Sequence, residues 1–185
     1  MKGVQQVLVA ECTNNEEDQC LDFTYIFEAY YKRIYNYYFY RVQNQYVAED
    51  LTSLLFEKVM TKIASYENHK GNWDVWLFAV ARNNLNDYFR SQKKYPWTSL
   101  ESVLEMISEE AGPEQLMEQA AETKVLLEMI KTLKEKERSI IAYKFGGNLK
   151  NKEIAELLGI GEKNVSVILC RTLRKLKAKL EGDRL

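Results

Sequence analysis

From Phe23 onward, apolar residues fall at Ile26, Phe27, Tyr30, Ile34, Tyr37 and Tyr38, intervals of three and four that predict a helix. Leu51, Leu54, Leu55, Val59 and Ile63 then share one side of a second predicted helix over Ala48–Ile63, with Glu49 and Asp50 set against its positive end. Gly71-Asn72 breaks the pattern, and Asn72 can cap a third helix, Trp73–Arg90, that buries Leu77, Val80, Ala81, Leu85 and Tyr88. Pro96 stops it. Residues 97–112 carry no long apolar stripe and suit a linker. Gly112-Pro113 is a natural helix start, followed at helical spacing by Leu116, Ala120, Leu127, Ile130 and Leu133. A short helix is expected over Lys136–Phe145, ended by Gly146-Gly147. β-branched residues are scattered and rarely alternate, so the fold class is all-α, two small helical domains joined by a linker.

The strongest local pattern starts at Asn151 and runs through Lys-Glu-Ile-Ala-Glu-Leu-Leu-Gly-Ile-Gly-Glu-Lys-Asn to Val165, continuing to Leu180. Ile154 and Leu158 are expected in the core, and Ala155 is small where two helices cross. Gly159 falls where the chain must turn left-handed, which a Cβ would penalise. Ile160 plugs the turn, and Gly161 can cap the next helix. In that helix Val165, Leu169, Leu176 and Leu180 form the apolar stripe. The opposite face carries Lys163, Ser166, Val167, Cys170 and Arg174, flanked by Asn164 and Arg171. A helix-turn-helix with a short polar and basic outer face fits the major groove of DNA, about 12 Å wide.

Charge sharpens the division. The chain is nearly neutral overall, at −1, but residues 1–70, 71–95, 96–135 and 136–185 carry net −3, +2, −6 and +6. Two basic blocks separated by an acidic one suit two DNA-facing units joined by a segment that faces something else. A pI near 6.0 predicts weak, salt-sensitive DNA binding by the isolated chain. Seven tyrosines between Tyr25 and Tyr40 suit a helix wedged between neighbours, with hydroxyls reaching the surface.

Other chemistry finds little support. The longest apolar run, Val75–Ala81, is far short of the roughly 20 residues of a membrane span. Val7–Ala10 is cut off by Glu11, unlike a signal-peptide core. Cys12, Cys20 and Cys170 form no CxxC pair and point to a reduced, cytoplasmic setting. His69 is the only histidine, so no metal is expected, and no cofactor is implied. No Gly-rich phosphate loop or nucleophile–base set suggests an enzyme.

With both halves in view, the chain resembles the bacterial RNA polymerase sigma factors of the extracytoplasmic-function group. The resemblance is carried by Ala48-Glu49-Asp50-Leu51 with Phe56, by Trp76-Leu77-Phe78-Ala79-Val80-Ala81-Arg82-Asn83, and by Asp87-Tyr88-Phe89-Arg90. In the second half it rests on Glu153-Ile154-Ala155-Glu156-Leu157-Leu158-Gly159 through Val165 to Arg171. It implies a tail over 1–21, a region 2 domain over 22–95, a linker over 96–112 and a region 4 domain over 113–185. It further implies that the helix bearing Glu49, Asp50, Ser53, Leu54 and Glu57 meets core RNA polymerase. By the same resemblance Asn83, with the loop from Tyr66 to Asn72, lies near a pocket for a flipped −10 base, and Arg82, Arg90, Lys93 and Lys94 hold the strand backbone. Lys163, Asn164, Ser166, Arg171 and Arg174 would face the −35 duplex. Core polymerase and promoter DNA are the implied partners. Anti-sigma partners are common in the family, although no residue here announces one.

The chain departs from the family pattern in two places. Ser53 and Leu54 stand where the family usually has a glutamine and an acidic residue, and Ile168 where it often has arginine. A dimeric helix-turn-helix repressor or activator would share the second half, but no sustained heptads would hold a dimer, and the Trp76–Arg90 stretch would go unexplained. A polymerase-binding regulator that has lost promoter opening would share the first half.

Overall fold

The structure is a computed structural model that describes residues 23–62, 71–94 and 125–182, all of whose regular elements are helical. The N-terminal tail, the linker, the start at Gly112-Pro113, Ile63 at the end of the predicted second helix and the predicted loop up to position 70 lie outside the described residues.

Helix α1 (Phe23–Val42) buries Ile26, Ile34, Tyr37 and Tyr38. Tyr25 is exposed as expected, but Tyr37 and Tyr38 are wholly internal. Their hydroxyls stay inside because each finds a partner there: Tyr37 donates to the Tyr143 hydroxyl at 3.3 Å and Tyr38 to the Ala81 carbonyl at 3.2 Å. α1 ends on Gln43 in a left-handed conformation (φ 51), whose N–H still reaches the Phe39 carbonyl at 2.9 Å. The side chain of Asn44 then accepts the Val47 N–H at 3.0 Å, so α2 (Gln45–Lys62) begins three residues before the predicted start.

α2 turns Ala48, Leu51, Thr52, Leu55, Phe56 and Val59 inward. Leu54, expected on that side, is 46% exposed. It lies about 130° round the helix from the middle of the buried stripe, at 100° per residue. Asn72 caps α3 (Trp73–Lys94) as predicted, its Oδ1 accepting the Asp74 N–H at 2.8 Å. α3 continues four residues past Arg90. It buries Leu77, Phe78, Ala81, Asn84 and Leu85, while Val80 and Tyr88 are only half-buried.

The second half consists of α4 (125–131), α5 (Glu135–Ile141), α6 (Asn151–Leu158) and α7 (Glu162–Gly182). α5 passes into a π-helical turn, Ala142–Gly146, in which the Gly147 N–H reaches back to the Ala142 carbonyl at 2.9 Å. The helix does end at Gly146-Gly147, but for a reason other than conformational freedom. Gly147 has an ordinary φ of −79, and the left-handed residue is Asn148 (φ 53). The glycines are needed for proximity: a Cβ on Gly146 would sit 2.8 Å from the Cα of Tyr37, and one on Gly147 would sit 2.6 Å from the Phe78 ring.

Those contacts join the halves. Tyr37 stacks on Tyr143 at 4.8 Å between ring centroids, with Phe78 edge-on to Tyr37 at 5.5 Å. One apolar cluster runs from Ile34, Leu55 and Leu77 of the first half to Ile140, Ile154 and Val165 of the second. Burial holds the Tyr37 hydroxyl well above its ordinary pKa and raises that of Tyr143, so the pair is neutral at physiological pH.

Candidate nucleic-acid interface

The turn between α6 and α7 is built as its sequence demands. Gly159 closes α6 in the left-handed region (φ 63, ψ 37), and its N–H meets the carbonyls of Ala155 and Glu156. Ile154, Ala155, Leu157 and Val165 fill the space between the two helices and the rest of the core. Leu158, expected inside, is half-buried, because the inner side of α6 at this level is taken by Leu157. On α7, Val165, Thr172 and Leu176 are buried, whereas Leu169 is half-buried and Leu180 exposed. Thr172 tolerates burial because its hydroxyl donates to the Ile168 carbonyl at 2.8 Å.

The outer face of α7 presents Lys163, Asn164, Ser166, Val167, Cys170, Arg171 and Arg174 to solvent. Among the described residues none of Lys163, Arg171 or Arg174 is held in an ion pair. One contributor was missed: Asn151, at the start of α6, donates from Nδ2 to the Ser166 hydroxyl at 2.9 Å, and that hydroxyl donates to the Glu162 carbonyl at 3.2 Å. Its place at the first position of the motif was the only signal. Asn151 also borders an open groove of about 400 Å³ that runs past Ser166, Cys170 and Leu173 to Arg174 and Lys177.

The candidate residues of the first half fall on two surfaces. On α2, Asp50, Ser53, Leu54 and Glu57 are exposed, with half-buried Glu49 accepting a hydrogen bond from Gln45 at 3.0 Å. Residues 50, 53, 54 and 57 repeat at three- and four-residue steps and so line one face. On α3, Asn83 is exposed and Arg90 pairs with Asp87 at 2.9 Å. Lys93 and Lys94 lie in the last turn of α3, and their side chains fall outside the described residues. Arg82 is turned to the other half, where it donates to the Leu157 carbonyl of α6.

Trp73 and Trp76 sit 4.9 Å apart, half-buried at the edge of the main core. Trp73 faces Tyr30, whose hydroxyl is pushed up to about 12 by burial and by the Asp74 carboxylate. Among the described residues no group of three or more His, Cys, Asp or Glu side chains could hold a metal ion, and no helix is long and apolar enough to cross a membrane.

The geometry defines a two-part helical DNA-binding protein: a helix-turn-helix with a free basic face, preceded by a three-helix body with a separate polar face. Residues 26–95 match the sigma-70 region 2 family and residues 123–176 the sigma-70 region 4 family, and the chain belongs to the sigma-70 family, in its extracytoplasmic-function group. It is 26% identical over 158 residues to the ECF RNA polymerase sigma factor BldN of Streptomyces coelicolor, a match covering 85% of this chain and 60% of that protein. It is 26% identical over 162 residues to the RNA polymerase sigma factor YlaC of Bacillus subtilis, covering 86% of this chain and 92% of that protein. The fold is similar to that of the sigma factor RpoE from Bartonella quintana, solved in complex with the anti-sigma factor NepR, with a TM-score of 0.67 at 18% identity over 88% of this chain and 98% of that one.

Proposed function

We propose that the protein is an alternative sigma factor: it binds core RNA polymerase, directs it to specific promoters and helps to open the −10 element. The observation that carries this reading is the order of two surfaces in one short chain, a region 2 body followed by a region 4 helix-turn-helix whose cations stand free. The exposed α2 face, with Glu49, Asp50, Ser53, Leu54 and Glu57, meets the polymerase. Lys163, Asn164, Ser166, Arg171 and Arg174 face the −35 duplex, with Asn151 orienting Ser166.

At the −10 element, unpairing costs about 1.4 kcal/mol per base-pair step, and flipping a base costs a few kcal/mol more. The exposed amide of Asn83 offsets part of that by bonding a flipped base, while Arg82, Arg90, Lys93 and Lys94 neutralise the strand. The protein thus acts by binding and positioning, as a non-catalytic initiation factor at work in the cytoplasm. Its relative from Bartonella quintana was solved with an anti-sigma factor, and a protein antagonist of that kind suits this chain also.

The test is multi-round transcription of genomic fragments by purified core polymerase with and without the protein. New, discrete start sites that depend on the protein are expected. A chain that associates with core polymerase but directs no initiation would be a regulator of another kind, and one that binds a palindrome as a dimer without polymerase would be a conventional repressor or activator.

A further inference from the structure

We infer that Val167 is a specificity-determining residue of the DNA-reading face, selecting a thymine in the −35 element by packing on that base's 5-methyl group. The inference rests on the sigma-factor reading and deepens it, naming one base that the second half recognises.

The position of Val167 carries the argument. α7 begins at Glu162, so Val167 falls in its second turn, within the stretch that a helix-turn-helix presents to base edges. At 100° per residue it stands about 140–180° round the helix from the buried Val165, Thr172 and Leu176, at the crest of the outer face. There it is 46% exposed. Leu173 and Leu180 are exposed as well, but each lies within about 100° of all three buried residues, on the flank of the core. Those two extend the apolar stripe. Val167 cannot, because the body of the helix stands between.

Neither folding nor solubility asks for valine at that place. Water solvates its branches at a cost, and a β-branched residue is a poorer helix former than the alanine, lysine or glutamate that would serve an exposed site. What valine supplies is a fixed apolar knob. In a helix its χ1 has one strongly preferred rotamer, so little freedom is lost when a partner closes over it. Cations flank the knob. Lys163 and Arg171 stand one turn before and one turn after, and Arg174 two turns after, all exposed and, among the described residues, outside any ion pair. They suit the phosphate backbone on either side and leave the valine facing the floor of the groove.

The major groove offers that valine one apolar group, the C5 methyl of thymine. The other recognition groups on the base edges there are donors and acceptors. Against the amino group of adenine or cytosine, or the O6 and N7 of guanine, valine would cover a polar atom without pairing it, which is costly. Thymine is thus favoured by contact and the other bases are disfavoured by desolvation. Cys170, exposed one turn further along the same face, adds a second small, weakly polar surface.

The test uses core polymerase with the full chain and the promoters that the pair selects. In duplexes carrying those promoters, each thymine of the −35 stretch, on either strand, is replaced in turn by deoxyuridine, which removes the methyl and keeps the pairing. Binding is measured by competition at fixed salt. At one position the wild type should lose about four-fold in affinity, the value of one buried methyl-sized group. Val167→Ala should bind the thymine and deoxyuridine duplexes almost equally. It should fold at least as well as the wild type, because alanine is the better helix former at an exposed site. Leu173→Ala, a truncation of the same kind on the flank, should keep the full penalty. Selected promoters that share no thymine in the −35 stretch would overturn the inference. So would a stretch insensitive to every replacement, or a penalty that persists in Val167→Ala. Transcription without a methyl effect therefore sinks the inference alone. If the chain directs no initiation at all, the sigma-factor reading fails and the inference falls with it.

Discussion

Replacing Gly159 by alanine isolates backbone strain from packing. The residue holds φ 63 and ψ 37 at the end of α6, and an added Cβ would meet nothing within 4 Å. No clash can therefore contribute, and the cost is that of a left-handed non-glycine residue, about 1–2 kcal/mol. In a cooperative unfolding transition this lowers Tm by about 2–8 °C for a chain of this size. Asparagine tolerates the left-handed region better, so Gly159→Asn should cost less than Gly159→Ala. Gly71 is equally unobstructed but is not left-handed, and Gly71→Ala should leave stability within about 0.5 kcal/mol. Urea denaturation followed by circular dichroism ranks the three. A Gly159→Ala protein as stable as wild type would refute the strain argument, and a loss above about 3 kcal/mol would mean that packing, not conformation, dominates the turn.

Three further outcomes are expected. Asn83→Ala should reduce permanganate reactivity of the −10 element about ten-fold or more, the value of one side-chain bond to a base, while binding of a −35 duplex is unchanged. Arg171→Ala with Arg174→Ala should do the reverse, lowering the slope of log affinity against log salt by about 0.9 for each phosphate no longer neutralised. The third concerns pH. Burial works to raise the pKa of Glu135, but hydrogen bonds and charge from Arg138 and Arg41 outweigh it, and the net shift is downward from 4.5. A depressed carboxylate stabilises the folded chain above its unfolded pKa and loses that contribution as pH falls through the folded value. Acidification below about pH 4.5 should therefore lower the urea midpoint of the wild type more than that of Glu135→Gln.

The helical pattern was legible wherever one face packs on one neighbour. Leu77, Ala81 and Leu85 at their spacing found the inner side of α3, and Gly159 announced its own left-handed turn. Periodicity failed where a helix has two neighbours or where a local cap moves its boundary. Asn44 is the cue for the earlier α2 start, and the later acidic pair Glu49 and Asp50 masks it in the sequence. The tyrosine hydroxyls expected at the surface lie inside because Tyr37 and Tyr38 are held by partners 106 and 43 residues away in the chain. The first pairing is set by how the halves dock and the second by how α1 packs on α3, and no local pattern encodes either. The same holds for Gly146-Gly147, which reads as a simple helix stop and proves to be a place where the halves approach too closely for a Cβ.

Ile168 shows how that distinction bears on the DNA-reading face. Set against the family, it reads as a missing arginine and hence one fewer bond to DNA. In the fold it is half-buried, packs against the main core, and gives its carbonyl to the buried Thr172 hydroxyl. It lies one turn beyond Asn164 and one turn before Arg171, on the flank of the basic face. The substitution exchanges a long-range cation for side-chain packing that helps fix the angle of α7. The face that remains keeps Lys163, Arg171 and Arg174 exposed and, among the described residues, outside any ion pair, as the proposed contact with phosphates requires. The residues proposed for the −10 strand differ, because Arg82 already donates to the Leu157 carbonyl of α6 and Arg90 is paired with Asp87. On the proposed function, the contacts to be given up before a promoter is engaged therefore lie in the first half, at Arg82 and Arg90, whereas the basic face of α7 has none of its own to break among the described residues.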